Sequence, residues 1–454
     1  MEIRISIVAT LILAVLALPA ALPAATYYVD PVHGDDTNPG TSAAPWQTLQ
    51  RAMVDSPATP RVTSGDTVIL RDGDYGEASF GAIQSPAPTS WDDRILYKAD
   101  DGATPIIRGM SISTVSGDRY LEFDGVHVDR TGVVDDHTSH TVYIKNASHV
   151  RLRNCRIRGN GAVDKDGGLW TITGVLAKIT STDRRTDDIL IEGCEISGAV
   201  SAFANSDGCK QGLVLRDNHV HFVGGSHIKV AGELDEPAVI ENNLIADKFQ
   251  PPNSAFHGSG ISCRARPVII RNNIIRNCGG TSNMTFYWQT FDGGVVVSGT
   301  LADPQTEFEE DEPVMQPDTG ASGVADRVSS GRVTTLLRNQ EVNAFVSGSD
   351  IVGQGSGAVL TDVVVSSVRP YGGYRNMVVE NNLNYDCQNI SNMRLVDLGD
   401  HCVFRNNTVV GRWHNLNPAK PRSRYFGVGS ILFAHGTDPS TFRMHNNILV
   451  GELS

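Results

Sequence analysis

One short unit recurs along this chain: the end of an apolar strand, a polar pair built on asparagine, and a second short apolar run. The full pair stands at Glu241-Asn242-Asn243-Leu244-Ile245 and Arg271-Asn272-Asn273-Ile274-Ile275. It returns at Glu380-Asn381-Asn382-Leu383, Arg405-Asn406-Asn407-Thr408-Val409 and His445-Asn446-Asn447-Ile448-Leu449. Degenerate copies precede these at Arg153-Asn154-Cys155-Arg156-Ile157, Glu192-Gly193-Cys194-Glu195-Ile196 and Arg216-Asp217-Asn218-His219-Val220. Counted on the second residue of each pair, the steps are 39, 24, 25 and 30, then 109, 25 and 40. A base step of 24 or 25 residues, lengthened by insertions, is the period of a solenoid.

The strands decide which solenoid. Each period holds three short runs rich in β-branched residues, such as His227-Ile228-Lys229-Val230, Ala238-Val239-Ile240-Glu241 and Leu244-Ile245-Ala246, and none is long enough for a helix. Three strands of four or five residues plus turns fill one coil at about 3.3 Å per residue. The expected class is all-β: a right-handed parallel β-helix with three strands per coil. Inward Asn side chains at one turn bond the next coil and each other as a ladder. The 45 Gly residues and an apolar content of 40% suit a folded chain with many turns.

The first residues read differently. Arg4 precedes an apolar run from Ile5 to Leu18, followed by the small-residue stretch Pro19-Ala20-Ala21-Leu22-Pro23-Ala24-Ala25, the layout of a secretory signal peptide cleaved near Ala24 or Ala25. The run is shorter than the ~20 residues needed to span a bilayer. The expected location is therefore secreted, periplasmic or at the cell surface. A net charge of −13 excludes a general nucleic-acid or anionic-membrane binder, which needs a broad basic field. An anionic substrate must then be held by local cations or a bridging metal, and the chain is expected to act as a monomer. Seven Cys is an odd number, so at least one thiol stays unpaired or all are simply buried.

The N-terminal stretch Tyr27-Tyr28-Val29-Asp30, Gly34-Asp35-Asp36, Asn38-Pro39-Gly40-Thr41 and Pro45-Trp46-Gln47-Thr48-Leu49, followed by Gly65-Asp66-Thr67-Val68-Ile69-Leu70-Arg71-Asp72-Gly73-Asp74-Tyr75, carries a family signature. Together with the repeat, it resembles the pectate-lyase-like superfamily of right-handed β-helices, especially secreted members related to chondroitinase B and alginate lyases. The resemblance covers nearly the whole chain. It implies that the signature closes the first coils and that a polysaccharide is the partner. Lyases, hydrolases, epimerases and proteins without catalysis share this scaffold, so activity must be argued from the site.

Residues 26–130 are expected to form an N-terminal cap and the first coils, with a short helix around Thr48 to Val54. Residues 131–280 read as regular coils and 376–454 as C-terminal coils. The segment 281–375 breaks the rhythm and holds the acidic stretch Glu307-Phe308-Glu309-Glu310-Asp311-Glu312; it reads either as an excursion forming a β-rich subdomain or long loops, or as degenerate coils. Cys155 and Cys194 share one ladder position, and Cys278 and Cys387 follow their Asn by equal steps, so each pair stacks either as a disulfide or as buried thiols. The chain ends at Ser454 without a visible cap, so either a further coil or partner contacts are expected to cover that edge.

Outward residues of the first strand in consecutive coils form surface columns about 4.8 Å apart. Taking Ile228 and Val230 as inward places His227 and Lys229 outward; taking Ile261 and Cys263 as inward places Ser262 and Arg264 outward. Lys145 and Lys178 fall on earlier coils of the same face and are expected to bind substrate. Lys229, Arg264 and His227 form the candidate catalytic set, with His221 and His257 weaker. Breaking a uronic-acid glycan by β-elimination needs a cation to neutralise the carboxylate and a base to take the α proton. Chondroitinase-B-like lyases are similar in using a Lys and an Arg on successive coils with Ca²⁺ nearby. The carboxylates Asp207, Glu233 and Asp235, with Glu236, either hold Ca²⁺, supply the acid and base of a glycoside hydrolase, or are solvated. Trp170, Tyr287, Trp288 and Trp413 are candidate groove walls. The expected function is a secreted polysaccharide-active β-helix, possible as a uronate lyase, with a glycoside hydrolase or a non-catalytic glycan-binding or surface-structural β-helix as alternatives.

Overall fold

The computed structural model describes residues 24–53, 62–81, 87–113, 118–133, 140–160, 173–178, 186–199, 201–206, 209–247, 259–278, 282–286, 295–309, 312–330, 332–338, 345–368, 377–385, 391–396, 402–411, 431–434 and 442–451. The expected leader, Asp207, His257, Trp170, Tyr287, Trp288, Cys387 and Trp413 lie outside the described residues.

Three parallel sheets wrap one apolar core. Sheet one stacks Glu77–Phe80, Gly109–Ser113, His140–Lys145, Thr173–Lys178 and Ser201–Ser206 in register. It continues through the first halves of Ile228–Glu241 and Ser259–Arg271 to Ser282–Phe286, Ser391–Val396 and Ile431–Ala434. Sheet two runs from Thr26–Val29 through Ser148–Arg153, Ile189–Glu192 and Leu213–Arg216 to Phe442–His445. Sheet three is a separate array of 11 short strands ending at Ile448–Gly451. Inward positions repeat at every second residue, so Val142, Val175, Phe203, Ile228 and Ile261 form one buried column. At the lower end Trp46 is buried and stacks on Tyr27 with centroids 4.6 Å apart. The helix Leu49–Met53 buries Leu49, Ala52 and Met53 there.

The polar pair divides its work. The first member bends the chain through the left-handed region: Asn154, Asp217, Asn242, Asn272, Asn381, Asn406 and Asn446 all have φ between 51° and 57°. Gly193, at 64°, occupies the same place without a Cβ to object. The second member points inward. Asn243 Oδ1 accepts from both the backbone N–H and the Nδ2 of Asn218 at 3.0 Å, and Asn273 Oδ1 does the same for Asn243 at 3.0 and 2.9 Å. The ladder continues through Asn382 and Asn407 to Asn447. Below Asn218, Cys194 and Cys155 fill the same position, each thiol donating at 3.5 Å to Leu152 O and Phe123 O, where Asn218 Nδ2 donates to Ile191 O. Both cysteines are buried free thiols.

A second ladder runs beside the first. The residue before each pair forms the column Asp124, Arg153, Glu192, Arg216, Glu241, Arg271, Glu380, Arg405 and His445, in register throughout and alternating in charge from Asp124 to Arg405.

Asn273 bonds Asn382 directly, so the coils close over a sequence step of 109 residues. Within that gap, strands Val295–Leu301, Pro313–Gln316, Ala321–Ser329, Arg332–Arg338, Ile351–Gly353 and Val359–Val368 close into an antiparallel barrel. It has its own core, including Val297, Phe308, Val314, Phe345, Ile351 and Leu360. Glu312 pins its last hairpin, accepting from the backbone N–H groups of Gly355 and Ser356 and from Ser356 Oγ. Antiparallel pairing of this kind is a pattern no further coil could make, whereas Ser282–Phe286, in the same segment, remains a parallel coil strand.

Candidate functional site

The outward rows of sheet one carry cations. Lys145 stands in register with Ser113 on one side and Lys178 on the other. Two coils beyond Lys178 the same row reaches Ala231, and then Arg264. Lys229 lies in the neighbouring row, between Ala204 and Ser262, so Arg264 is one coil and two positions away from it. Lys145, Lys229 and Arg264 are each half-buried. Ala204 adjoins Lys229 in its row, and Ala231 adjoins Arg264 in the other. Lys178 is placed by its backbone register; its side chain is not among those described.

His227 requires a correction. Alternation from Ile228 places it outward, yet it is 0% exposed. Its row, which also holds Thr141 and Ala202, is buried where the chain enters the strands. The imidazole Nε2 donates at 2.8 Å to the carbonyl of Ala246, the last residue of a sheet-three strand, so it is enclosed by the turn between sheets three and one. An alternation rule holds along a strand but does not say whether an outward row is covered by the adjoining turn.

The carboxylates do not assemble into a described site. Asp235 is exposed, and its backbone N–H donates to Lys210 O at 2.7 Å. Glu233 stands opposite Arg266 in backbone register; its side chain, like Asp207, is outside what is described. Among the described residues no three His, Cys, Asp or Glu side chains group as a metal site. No donor set for Ca²⁺ is therefore established, and no step is built on one. His221 sits on sheet three, away from the strip, with Nε2 3.1 Å from Glu195 Oε1.

Two members of the face escaped sequence reasoning. Tyr143 belongs to the row of Lys229, three coils earlier, and burial raises its phenol above the ordinary value, so it stays protonated and able to donate. Arg266 extends the cationic side by one outward position. Coil lengths of 24 to 39 residues hide both, because columns appear only after each insertion is subtracted.

Comparison with known proteins agrees with this architecture. Residues 140–301 match the family model described as right handed beta helix region. The solved structure of a GH136 lacto-N-biosidase from Eubacterium ramulus is similar, with a TM-score of 0.51 at 12% identity, covering 94% of this chain and 68% of that one. The pectate lyase Pel9A gives 0.42 at 15% identity over 60% of this chain and 67% of its own. The surface adhesin PfbA of Streptococcus pneumoniae gives 0.43 at 12% identity over 85% and 84%. No curated protein matches by sequence. In fold, the chain is a right-handed parallel β-helix.

Proposed function

We propose that the chain acts on an acidic polysaccharide laid along the cationic strip of sheet one, cleaving it by β-elimination. The observation that carries this reading is the alignment of Lys145, Lys229 and Arg264 in two neighbouring outward rows of one sheet, in a protein whose net charge is −13. A polyanion meets a local attractive field there. Arg264 is suited to pair with the uronate carboxylate, its planar fork matching the two oxygens and reducing the cost of the carbanion-like state. Lys229, as the base, takes the proton α to that carboxylate. The electron pair of the broken C–H bond forms the C4–C5 double bond, and the glycosidic C4–O bond breaks with its pair going to the leaving oxygen, which gains a proton. Lys145 and Lys178 hold neighbouring uronates, and the product carries an unsaturated end. The similarity to a lacto-N-biosidase supports a glycan partner at the level of fold.

The burial of His227 favours a second reading, in which the strip binds the glycan without cleaving it. Incubation with pectate, alginate and glycosaminoglycans separates the two. Lyase action appears as absorbance of the unsaturated uronate, and Lys229→Ala is expected to lower kcat at least a hundredfold with binding retained. Full activity in that variant rejects the assignment of Lys229. Binding without absorbance change or new reducing ends selects the second reading.

A further inference from the structure

Five side chains from four coils meet at the bend between sheets one and two, away from the strip. Asp188 Oδ2 accepts from Trp91 Nε1 and His149 Nδ1, each at 2.8 Å. The His149 ring stacks on Tyr120 with centroids 4.0 Å apart and planes 4° from parallel. The Arg151 guanidinium lies 3.5 Å from the centre of the Trp91 ring. Tyr120, His149 and Asp188 all hold positive φ, at 47°, 59° and 52°, a conformation that bulky side chains rarely accept. None of the five is fully buried.

The charges do not balance. Glu122 is committed to Arg94 at 2.6 Å and approaches Arg153 at 3.5 Å; Glu192 is shared by Arg153 and Arg216; Asp188 serves Trp91 and His149. Among the described residues no carboxylate ion-pairs with Arg151, and its Nε is a buried donor without an acceptor. Burial pulls its guanidinium below the ordinary value, against the opposing pull of the Asp188 and Glu122 charges nearby. A guanidinium held over an indole is fixed in direction, and its remaining N–H groups form the fork that takes a planar oxyanion in two bonds.

We propose that Arg151, Trp91 and the His149–Asp188 pair form a second binding site, for the carboxylate of an acidic sugar. Arg151 receives the carboxylate, and the aromatic edges of Trp91 and Tyr120 lie against the ring that bears it. The site stands whether or not the strip on sheet one carries chemistry, because it shares no residue with it.

The test uses the full chain carrying Lys229→Ala and Arg264→Ala, so that the strip is disabled. Trigalacturonate, cellotriose and inorganic sulfate are titrated in turn while indole fluorescence is followed, with Trp91→Phe identifying the signal. Saturable trigalacturonate binding that disappears from the signal in Trp91→Phe is expected, with cellotriose at least tenfold weaker. Arg151→Gln is expected to weaken trigalacturonate at least tenfold and Arg151→Lys severalfold, both with the thermal midpoint checked. Equal affinity for cellotriose, sulfate binding as tight as trigalacturonate, or unchanged affinity in a folded Arg151→Gln protein overturns the proposal. Loss of lyase activity or its absence in the parent chain bears on the strip alone, and leaves this titration decisive.

Discussion

Glu192 accepts a hydrogen bond from Arg153 Nε on one neighbouring coil and from Arg216 Nε on the other, each at 2.7 Å. The carboxylate is 17% exposed while the two arginines are 40% and 39% exposed, so the acid lies beneath a pair of half-solvated cations. Charge-assisted bonds in such a network outweigh an isolated surface pair. Glu192→Gln is expected to lower stability by about 1–2 kcal/mol, measured as a shift in urea midpoint at unchanged m-value. The pH dependence follows with a definite sign. Burial opposes ionisation of Glu192, but the bonds and charges of Arg216 and Arg153 prevail and hold its carboxyl below the ordinary value. Its contribution is complete above the unfolded-state value of about 4.3 and is lost as pH falls through the lower folded value. Urea midpoints of the two proteins should therefore converge on acidification.

The two members of each polar pair should respond oppositely to truncation. Asn243→Ala strands the backbone N–H and Nδ2 of Asn218 and the carbonyl of Leu215, all buried, and is expected to cost about 2–4 kcal/mol. Asn242→Gly keeps the left-handed bend at φ 57° and should lie within about 0.5 kcal/mol of the parent, whereas Asn242→Val should cost about 1–2 kcal/mol. Chemical denaturation of the three variants checks the order; a costly Asn242→Gly would show that its side chain, not its backbone, matters.

Asn384 offers a stabilising change. It is 0% exposed, stands in the sheet-three column between Ile275 and Val409, and neither amide atom has a hydrogen-bond partner among the described residues. Asn384→Val restores the apolar column and is expected to raise stability by about 1–3 kcal/mol. A lower thermal midpoint would count against the site being dry and apolar.

The inserted barrel should be dispensable for the helix. Val268 to Arg271 already pair with Met377 to Glu380, so replacing residues 289–374 by a short Gly-Ser linker leaves the ladder contacts in place. Such a variant is expected to unfold cooperatively with a β-type circular dichroism spectrum. A molten or insoluble product would show that the barrel supports the coils around it.

The pitch of the helix was legible because Asn243, Asn273, Asn382 and Asn407 stand at the same place in coils of different length. The alternation of Arg and Glu just before each pair takes its meaning from the register that only the fold supplies. Exposure was less readable. His227 obeys the strand period and is still enclosed, because a neighbouring turn covers its row. The cluster of Trp91, Tyr120, His149, Arg151 and Asp188 had no linear signal: its members come from four coils separated by unequal insertions.

The alternating column has a consequence for how such a chain can change length over generations. Loss of the single coil that carries Glu241 would set Arg216 against Arg271, and duplication of that coil would set glutamate on glutamate. Gain or loss of two adjacent coils restores opposite neighbours at the junction. The molecule thus has a parity, and tandem copying by even numbers is the route its surface tolerates.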